Sequence, residues 1–512
     1  MAVVAEISSF ILGNLSTVLL IVVTLAIVVR FLRLPAGTLP VGPKGWPVIG
    51  YLQGVGAHIY LHYTELAKQY QSDVVSFTLA SRLFVVLNSY DAIKQAFLKQ
   101  GDVFSGRPES IHKNFIAKGN GLISSEGSKW KAQRKFSLTV LRGFGMGKNG
   151  MEEKILDEIG HFLQEVEHRQ GAPFDIRDLL SASVSNVISC VVFGHRFKYD
   201  DKAFVDLLSR FDENMKYGGA LNPVNILPAL RHLPGDRWHF HLMLHNVRRV
   251  QKFVQTEIDQ HRETFEEGNQ RDFIDIYLEE LKQSKERAAE SGNESEFNDE
   301  QLKQNILDLF FAGSETTNTT LRWAIIYMML YPEVQQKIQK ELDLVIGRER
   351  FPRTEDRARL HYTESVLLEI QRHCTMGPLA IPHTATTDAE FLGHSIPKGA
   401  MMIANIWAVH HDPRLWEKPY EFQPERFLDA EGIFRSSEYV IPFSVGRRVC
   451  LGEALAKVEL YIYFTTLLQR FTLKLPEGAP DPDMKGTYGI TRAPHPHSLL
   501  AIKRSGCNLD SD

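Results

Sequence analysis

The chain has 512 residues, 44% of them hydrophobic and 23% charged, with a formal net charge of −4 at pH 7. That composition is ordinary for a globular protein and lacks the basic footprint of a nucleic-acid binder. Four cysteines, Cys190, Cys374, Cys450 and Cys507, are scattered without paired spacing, which fits neither a zinc site nor a disulfide framework and agrees with a reducing compartment. Length alone predicts about three domains. No repeat, low-complexity block or long Gly/Ser linker divides the chain, so one large domain is expected.

From Ile7 to Val29 run 23 residues without a formal charge, enough to span a bilayer as a helix. Glu6 precedes the run and Arg30 and Arg33 follow it, the reverse of a cleaved signal peptide's flanks, so an uncleaved anchor with the bulk of the chain cytoplasmic is expected. The prolines and glycines from Leu39 to Pro47 resist helix and sheet and predict a stiff spacer. Val74–Leu79 and Leu83–Leu87 are β-branched and aromatic and predict a hairpin; Asp91 to Lys99 predicts a short helix closed by Gly101. Lys129 to Lys135 is a basic helix in which Trp130 and Arg134, four apart, share a face. Between Phe204 and His261 helical periodicity is broken by Gly218-Gly219, Pro223, Pro228 and Pro234. His241 and His245, four apart there, read as a solvated face because no neighbouring Cys or carboxylate completes a metal site. Ser284 to Ser295, polar and aperiodic, reads as an exposed loop.

Apolar residues then recur at helical spacing from Asp299 to Tyr331, with Asp299 near the N-cap and Pro332 as the stop. Such a helix is about 50 Å long. Its middle, Ala312-Gly313-Ser314-Glu315-Thr316-Thr317, pairs two small residues, which leave room for something flat, with an acid beside a hydroxyl. Glu369 and Arg372, three apart, share a helix face, and Arg426 follows in the turn Pro424-Glu425-Arg426-Phe427. Finally, Phe443-Ser444-Val445-Gly446-Arg447-Arg448-Val449-Cys450-Leu451-Gly452 sets a cysteine in a glycine-bracketed loop ahead of a helix-like run. A thiolate there lies near a helix N-terminus. Gly446 and Gly452 let backbone pass close to a flat ligand, and Arg448 reaches an anionic group on it. An iron porphyrin fits, with Cys450 as axial ligand and Arg448 on a propionate.

Phe443, Gly446, Arg448, Cys450 and Gly452 match all five fixed positions of the haem-binding motif of the cytochrome P450 family, and the chain resembles animal microsomal members of its family 2. The resemblance implies a mainly α fold with small β-sheets (α+β), one haem domain and an N-terminal transmembrane helix. Expected boundaries are 1–34 for the anchor, 35–50 for a proline-rich hinge and 51–512 for the catalytic domain. It implies haem b with a cysteine thiolate ligand, O2 and NADPH-derived electrons. Cys450 then holds iron. Trp130, Arg134, Arg448 and His383 meet the propionates, and Phe443, Gly446, Gly452, Ala312 and Gly313 line the haem. Thr316 and Glu315 relay protons, while Glu369, Arg372 and Arg426 form a structural lock. Residues 107–111 and 375–381 are expected to line the substrate pocket. Expected partners are NADPH-cytochrome P450 reductase, docked on Lys129, Lys131 and Lys135, with cytochrome b5 a further candidate. A lipophilic substrate (fatty acid, steroid or xenobiotic) and the lipid of the endoplasmic reticulum membrane complete the set. Two alternatives stay open: a haem-thiolate isomerase or lyase acting on peroxides without O2, against which Thr316 argues, and a non-catalytic haem or lipid carrier.

Overall fold

The computed structural model describes residues 15–32, 38–46, 49–54, 56–80, 82–144, 149–219, 222–292 and 294–506. Its longer helices, in chain order, are α1 (Leu15–Leu32), α2 (Ile59–Gln69), α3 (Gly127–Gly143), α4 (Asn149–Glu167), α5 (Arg177–Val192), α6 (Lys202–Tyr217), α7 (Phe240–Glu263), α8 (Phe273–Ser291), α9 (Asp299–Leu330), α10 (Pro332–Val345), α11 (His361–Cys374) and α12 (Glu453–Arg470). The expected hairpin forms β1 (Val74–Leu79) and β2 (Arg82–Leu87), antiparallel with Val75 opposite Val86. β4 (Met401–Ala404) pairs in parallel with β2, and the two-residue β3 (His383–Thr384) closes the sheet, in the order β1-β2-β4-β3. Two-stranded ribbons complete the fold, β5 (Thr487–Tyr488) with β6 (Arg492–Ala493) among them.

α9 is the beam of the domain. Asn298, not Asp299, caps it by accepting from the Gln301 N–H at 2.9 Å, while Asp299 and Glu300 face the positive end of the helix dipole. Its second half, Thr317 to Met329, is buried on every side, as a helix crossing a core must be. α5, α7, α10, α11 and α12 pack around it.

Three local expectations change. The helix after β2 starts at Tyr90, capped by Ser89, and widens into a π-helical turn over Lys94–Lys99. Most of the loop expected from Ser284 lies in α8, whose Lys, Glu, Arg and Ala residues favour helix until Gly292 ends it at φ 70°. The proline-rich segment is not a free spacer: the Pro40 and Val41 carbonyls accept from the Ser76 hydroxyl (2.6 Å) and N–H (2.8 Å). A Cβ on Gly42 would lie 1.8 Å from the Ser76 carbonyl oxygen, so only glycine allows this approach.

The 18 residues of α1 span about 27 Å, short of a hydrocarbon core of about 30 Å. Among the described residues no helix is long and apolar enough to cross a membrane, so the expected transmembrane helix is not shown. The expected span began at Ile7, and residues 7–14 lie outside those described.

Behind the cysteine loop sits the lock. Arg372 donates to Glu369 through Nε (2.7 Å) and a terminal nitrogen (2.8 Å), with both side chains fully buried, and Arg426 Nε adds a third bond at 3.2 Å. The remaining Arg372 protons go to the His410, Pro419 and Glu421 carbonyls. Desolvation makes such a cluster a modest net stabiliser, but losing its one carboxylate strands two guanidiniums. Glu369→Ala is therefore expected to cost about 3–5 kcal/mol, read as a lowered melting temperature and loss of haem from the purified chain.

Candidate active site

In the cysteine loop the Cys450 N–H donates to the Phe443 carbonyl at 3.0 Å. Gly446 has φ 84°, and a Cβ there would fall 1.9 Å from the Phe97 carbonyl oxygen. Glycine is required there by the positive φ and by the neighbouring Phe97 backbone. Gly452, the N-cap of α12, has open space where a Cβ would be. Cys450 is accessible, yet burial raises its thiol pKa, a combination that places the sulfur against an internal space rather than bulk solvent. The backbone N–H groups of Gly452 and Glu453 and the charge of Arg134 oppose that rise without reversing it. The helix N-terminus alone therefore does not give a thiolate at neutral pH; a metal does, because coordination deprotonates a thiol outright.

Around this loop lies a cationic rim. Arg448 sits 3.9 Å over the Trp130 ring, and Arg134, one turn along α3, 5.7 Å from it. Arg448 donates to the Ser105 and Ser125 carbonyls, Arg107 to those of Ile123 and Pro382, and Arg134 to that of Val449 at 2.6 Å. Among the described residues none of the three guanidiniums has a carboxylate within 4 Å. Glu126 is taken up by the Arg107 N–H (2.6 Å) and Lys113 (2.8 Å). Burial, with Arg107 alongside, pulls Arg448 down to about 8, and burial pulls Arg107 down to about 10. Such cations call for an anion. His383 stacks on Phe97 at 3.9 Å and donates Nδ1–H to the Phe104 carbonyl; burial and the neighbouring arginines keep it neutral. An accessible sulfur, a cationic rim and an accessible Ala312 suit a flat dianionic metal macrocycle.

Over the site, Ala312 is accessible but Gly313 turns to α5, where a Cβ would meet Ile188 at 3.3 Å. The small pair thus serves two faces. Thr316 donates to the Ala312 carbonyl at 2.8 Å. Glu315 instead accepts from Thr319 at 2.8 Å and lies 3.5 Å from the Thr491 hydroxyl, so acid and alcohol share no hydrogen bond. Burial raises Glu315 to about 7. Thr316 and Thr317 border a small cavity with Phe443 and Ala456. The main cavity, about 620 Å³, lies among α6, α7, α9 and the 488–490 turn. Arg107, Pro108, Ser110 and Ile111 line it, as do Leu379, Ala380 and Ile381; Glu109 turns away to pair with Lys113 at 2.8 Å.

Two acids escaped the sequence reading. Asp308, one turn before Ala312, fixes the cavity roof by accepting from the Leu122 (2.7 Å) and Ile123 (2.9 Å) N–H groups. Glu459 on α12 is buried with Thr317 as its hydrogen-bond partner at 3.0 Å, and burial raises it to about 8. A lone carboxylate in the apolar run Leu455–Leu468 was the available signal.

Fold and site together define a helical protein that presents one thiol and a cationic rim to a flat anionic metal cofactor. A family model described as Cytochrome P450 matches residues 40–501. The chain is 40% identical to cytochrome P450 18a1 of Drosophila melanogaster over 476 residues, 91% of this chain and 87% of that protein. It is 38% identical to cytochrome P450 2U1 of Rattus norvegicus over 497 residues, 92% of each. With cytochrome P450 2F3 of Capra hircus it shares 40% over 503 residues, 96% of this chain and 100% of that protein. The chain belongs to the cytochrome P450 family, resembling its animal family 2 members. Members are haem-thiolate monooxygenases that use O2 and reductase-derived electrons, and this chain is an oxidoreductase of that kind.

Glu459 provides a test of the buried electrostatics. Its folded pKa, about 8, exceeds the usual value of about 4.3 for an unfolded glutamate. Between those values the folded chain holds the extra proton, so this group's contribution is whole at low pH, falls as pH rises and is gone above about 8. Glu459→Gln removes the slope: its melting temperature is expected to gain on wild type from pH 5 to 8 and run parallel above.

Proposed function

We propose that Cys450 supplies the thiolate of a haem-thiolate monooxygenase. The carrying observation is an accessible Cys450 just ahead of the N-terminus of α12, beside three guanidiniums that meet no carboxylate among the described residues. When bound, haem supplies the O2 chemistry. Arg107, Arg134 and Arg448 offset its two propionate charges, with Trp130 as the platform for two of them; His383 buttresses the rim through Phe104 and Phe97. Phe443 and Ala312 border the cofactor space. Thr316 holds its one hydroxyl proton on the Ala312 carbonyl, and would serve as the donor of the oxygen chemistry by turning that proton away from the carbonyl. Glu315, half protonated near pH 7, recharges it indirectly, since the two share no bond.

The substrate is an apolar molecule sized to the main cavity, within the span of fatty acid, steroid and xenobiotic. Lys131 and Lys135 are exposed on α3, which supports docking of an acidic NADPH-cytochrome P450 reductase, with cytochrome b5 a further candidate for the same face. The exposed apolar row Val18–Val23 of α1 supports membrane attachment through residues 1–34. We place the protein on the endoplasmic reticulum with its catalytic domain (51–512, after the 35–50 hinge) in the cytoplasm.

The deciding experiment is the carbon monoxide difference spectrum of the reduced protein. Wild type is expected to give the red-shifted Soret band of a ferrous thiolate complex and Cys450→Ser to lose it. A histidine-like band, or a folded chain without haem, overturns the assignment. For the relay, Glu315→Gln is expected to remove the fall in turnover that wild type shows as pH rises past about 7; an unchanged pH profile removes Glu315 from the proton path.

A further inference from the structure

His410 joins three segments: its own short helix, the end of α11 and the start of the cysteine loop. It is fully buried at the end of the short helix Ile406–His410. Its Nε2 accepts from the Ile441 N–H at 2.9 Å, at the start of the cysteine loop. A backbone N–H can only donate, so Nε2 carries no proton and the neutral ring bears it on Nδ1. That proton goes to the Thr375 hydroxyl at 3.0 Å, and the hydroxyl in turn donates to the Arg372 carbonyl at 2.5 Å. The His410 carbonyl accepts from Arg372 of the lock at 2.5 Å. Every donor and acceptor in this chain is matched, and burial, with Arg372 beside it, holds the ring neutral down to about pH 3.

Thr375 is the more unusual member. It ends α11 at φ 39°, ψ 67°, a left-handed conformation that a β-branched side chain rarely adopts. From that bend the chain runs directly into Met376 and Gly377, at the small cavity, and Leu379 to Ile381, at the main one. The other arm of His410 holds Ile441, two residues before Phe443, whose carbonyl receives the Cys450 N–H. The imidazole is thus the shared strut of the cavity wall and the cysteine loop, though it touches neither the cavities nor the sulfur.

We infer that His410, acting through Thr375 and Ile441, is a positioning residue that sets the distance between the cavity wall 376–381 and Cys450. It thereby selects which part of a bound molecule stands over the metal. This rests on the reading of Cys450 as the metal ligand.

Two probes separate positioning from stability in the haem-loaded protein. Imidazole binds at the metal alone, whereas 4-phenylimidazole also presses on the cavity wall, so the ratio of their dissociation constants reports the wall-to-metal distance. His410→Phe and Thr375→Val are expected to weaken 4-phenylimidazole about three- to tenfold, the equivalent of one misplaced buried contact, while imidazole is unchanged. Thr375→Ser keeps the hydroxyl and is expected to keep the wild-type ratio. Ile159→Ala, in the core of α4, serves as a control with a comparable loss of melting temperature and is expected to leave the ratio alone. An unmoved ratio in both His410→Phe and Thr375→Val, or an equal shift in Ile159→Ala, overturns the role of His410. A wild type that binds no imidazole at all overturns this inference together with the assignment of Cys450.

Discussion

Charge left uncompensated is the constraint on which this structure turns. Arg134 and Arg448 share the Trp130 ring, Arg107 lies beside Arg448, and the carbonyls the three meet orient them without neutralising them. An isolated protein gains nothing from packing like charges into a low-dielectric pocket. The arrangement is stable only as half of a pair whose other half is anionic. Its geometry, a rim beside an accessible sulfur, dictates the shape of the partner. In the lock the same problem is solved internally, by one glutamate between two arginines. One cationic cluster is closed by the chain itself and the other is left for a cofactor.

α9 divides the labour between its faces. Gly313 gives its missing side chain to α5, Ala312 is left exposed, Thr317 ties back to α12 and Asp308 holds the 122–123 backbone. Helical periodicity makes this possible, since residues a few positions apart address different neighbours. Each neighbour is rigid, so the turn carrying Thr316 is clamped from several sides.

Much of this was legible because the chemistry is local. A ten-residue loop carries the cysteine, its glycines and Arg448; Glu369 and Arg372 are one turn apart; Trp130 and Arg134 likewise. What sequence spacing leaves undetermined is which face meets which partner. The close approach of Gly446 to the Phe97 backbone is not readable from spacing. Glu315 and Thr316 are neighbours in sequence, yet adjacent residues on a helix point about 100° apart, and the acid turns to Thr319 and Thr491. Arg107 joins the rim only through tertiary folding. The helix over Ser284 is a different case: its Lys, Glu, Arg and Ala residues carry enough helix propensity to form it although the stretch is polar and aperiodic.

Two buried carboxyls flank the same stretch of α9, and their surroundings set them apart. Glu315 has a hydroxyl partner and a nearby Arg322 to offset burial, and rests near 7, where a small change in its neighbours changes its charge. Glu459 has one hydroxyl to offset deeper burial, and rests near 8, a neutral acid across most of the physiological range. A group that must gain and lose a proton belongs at the first value; one that must stay neutral while bridging two helices belongs at the second. Burial of the same functional group at two depths is enough to put an acid raised to about 7 on α9 and one raised to about 8 on α12, against the next residues of the same turn.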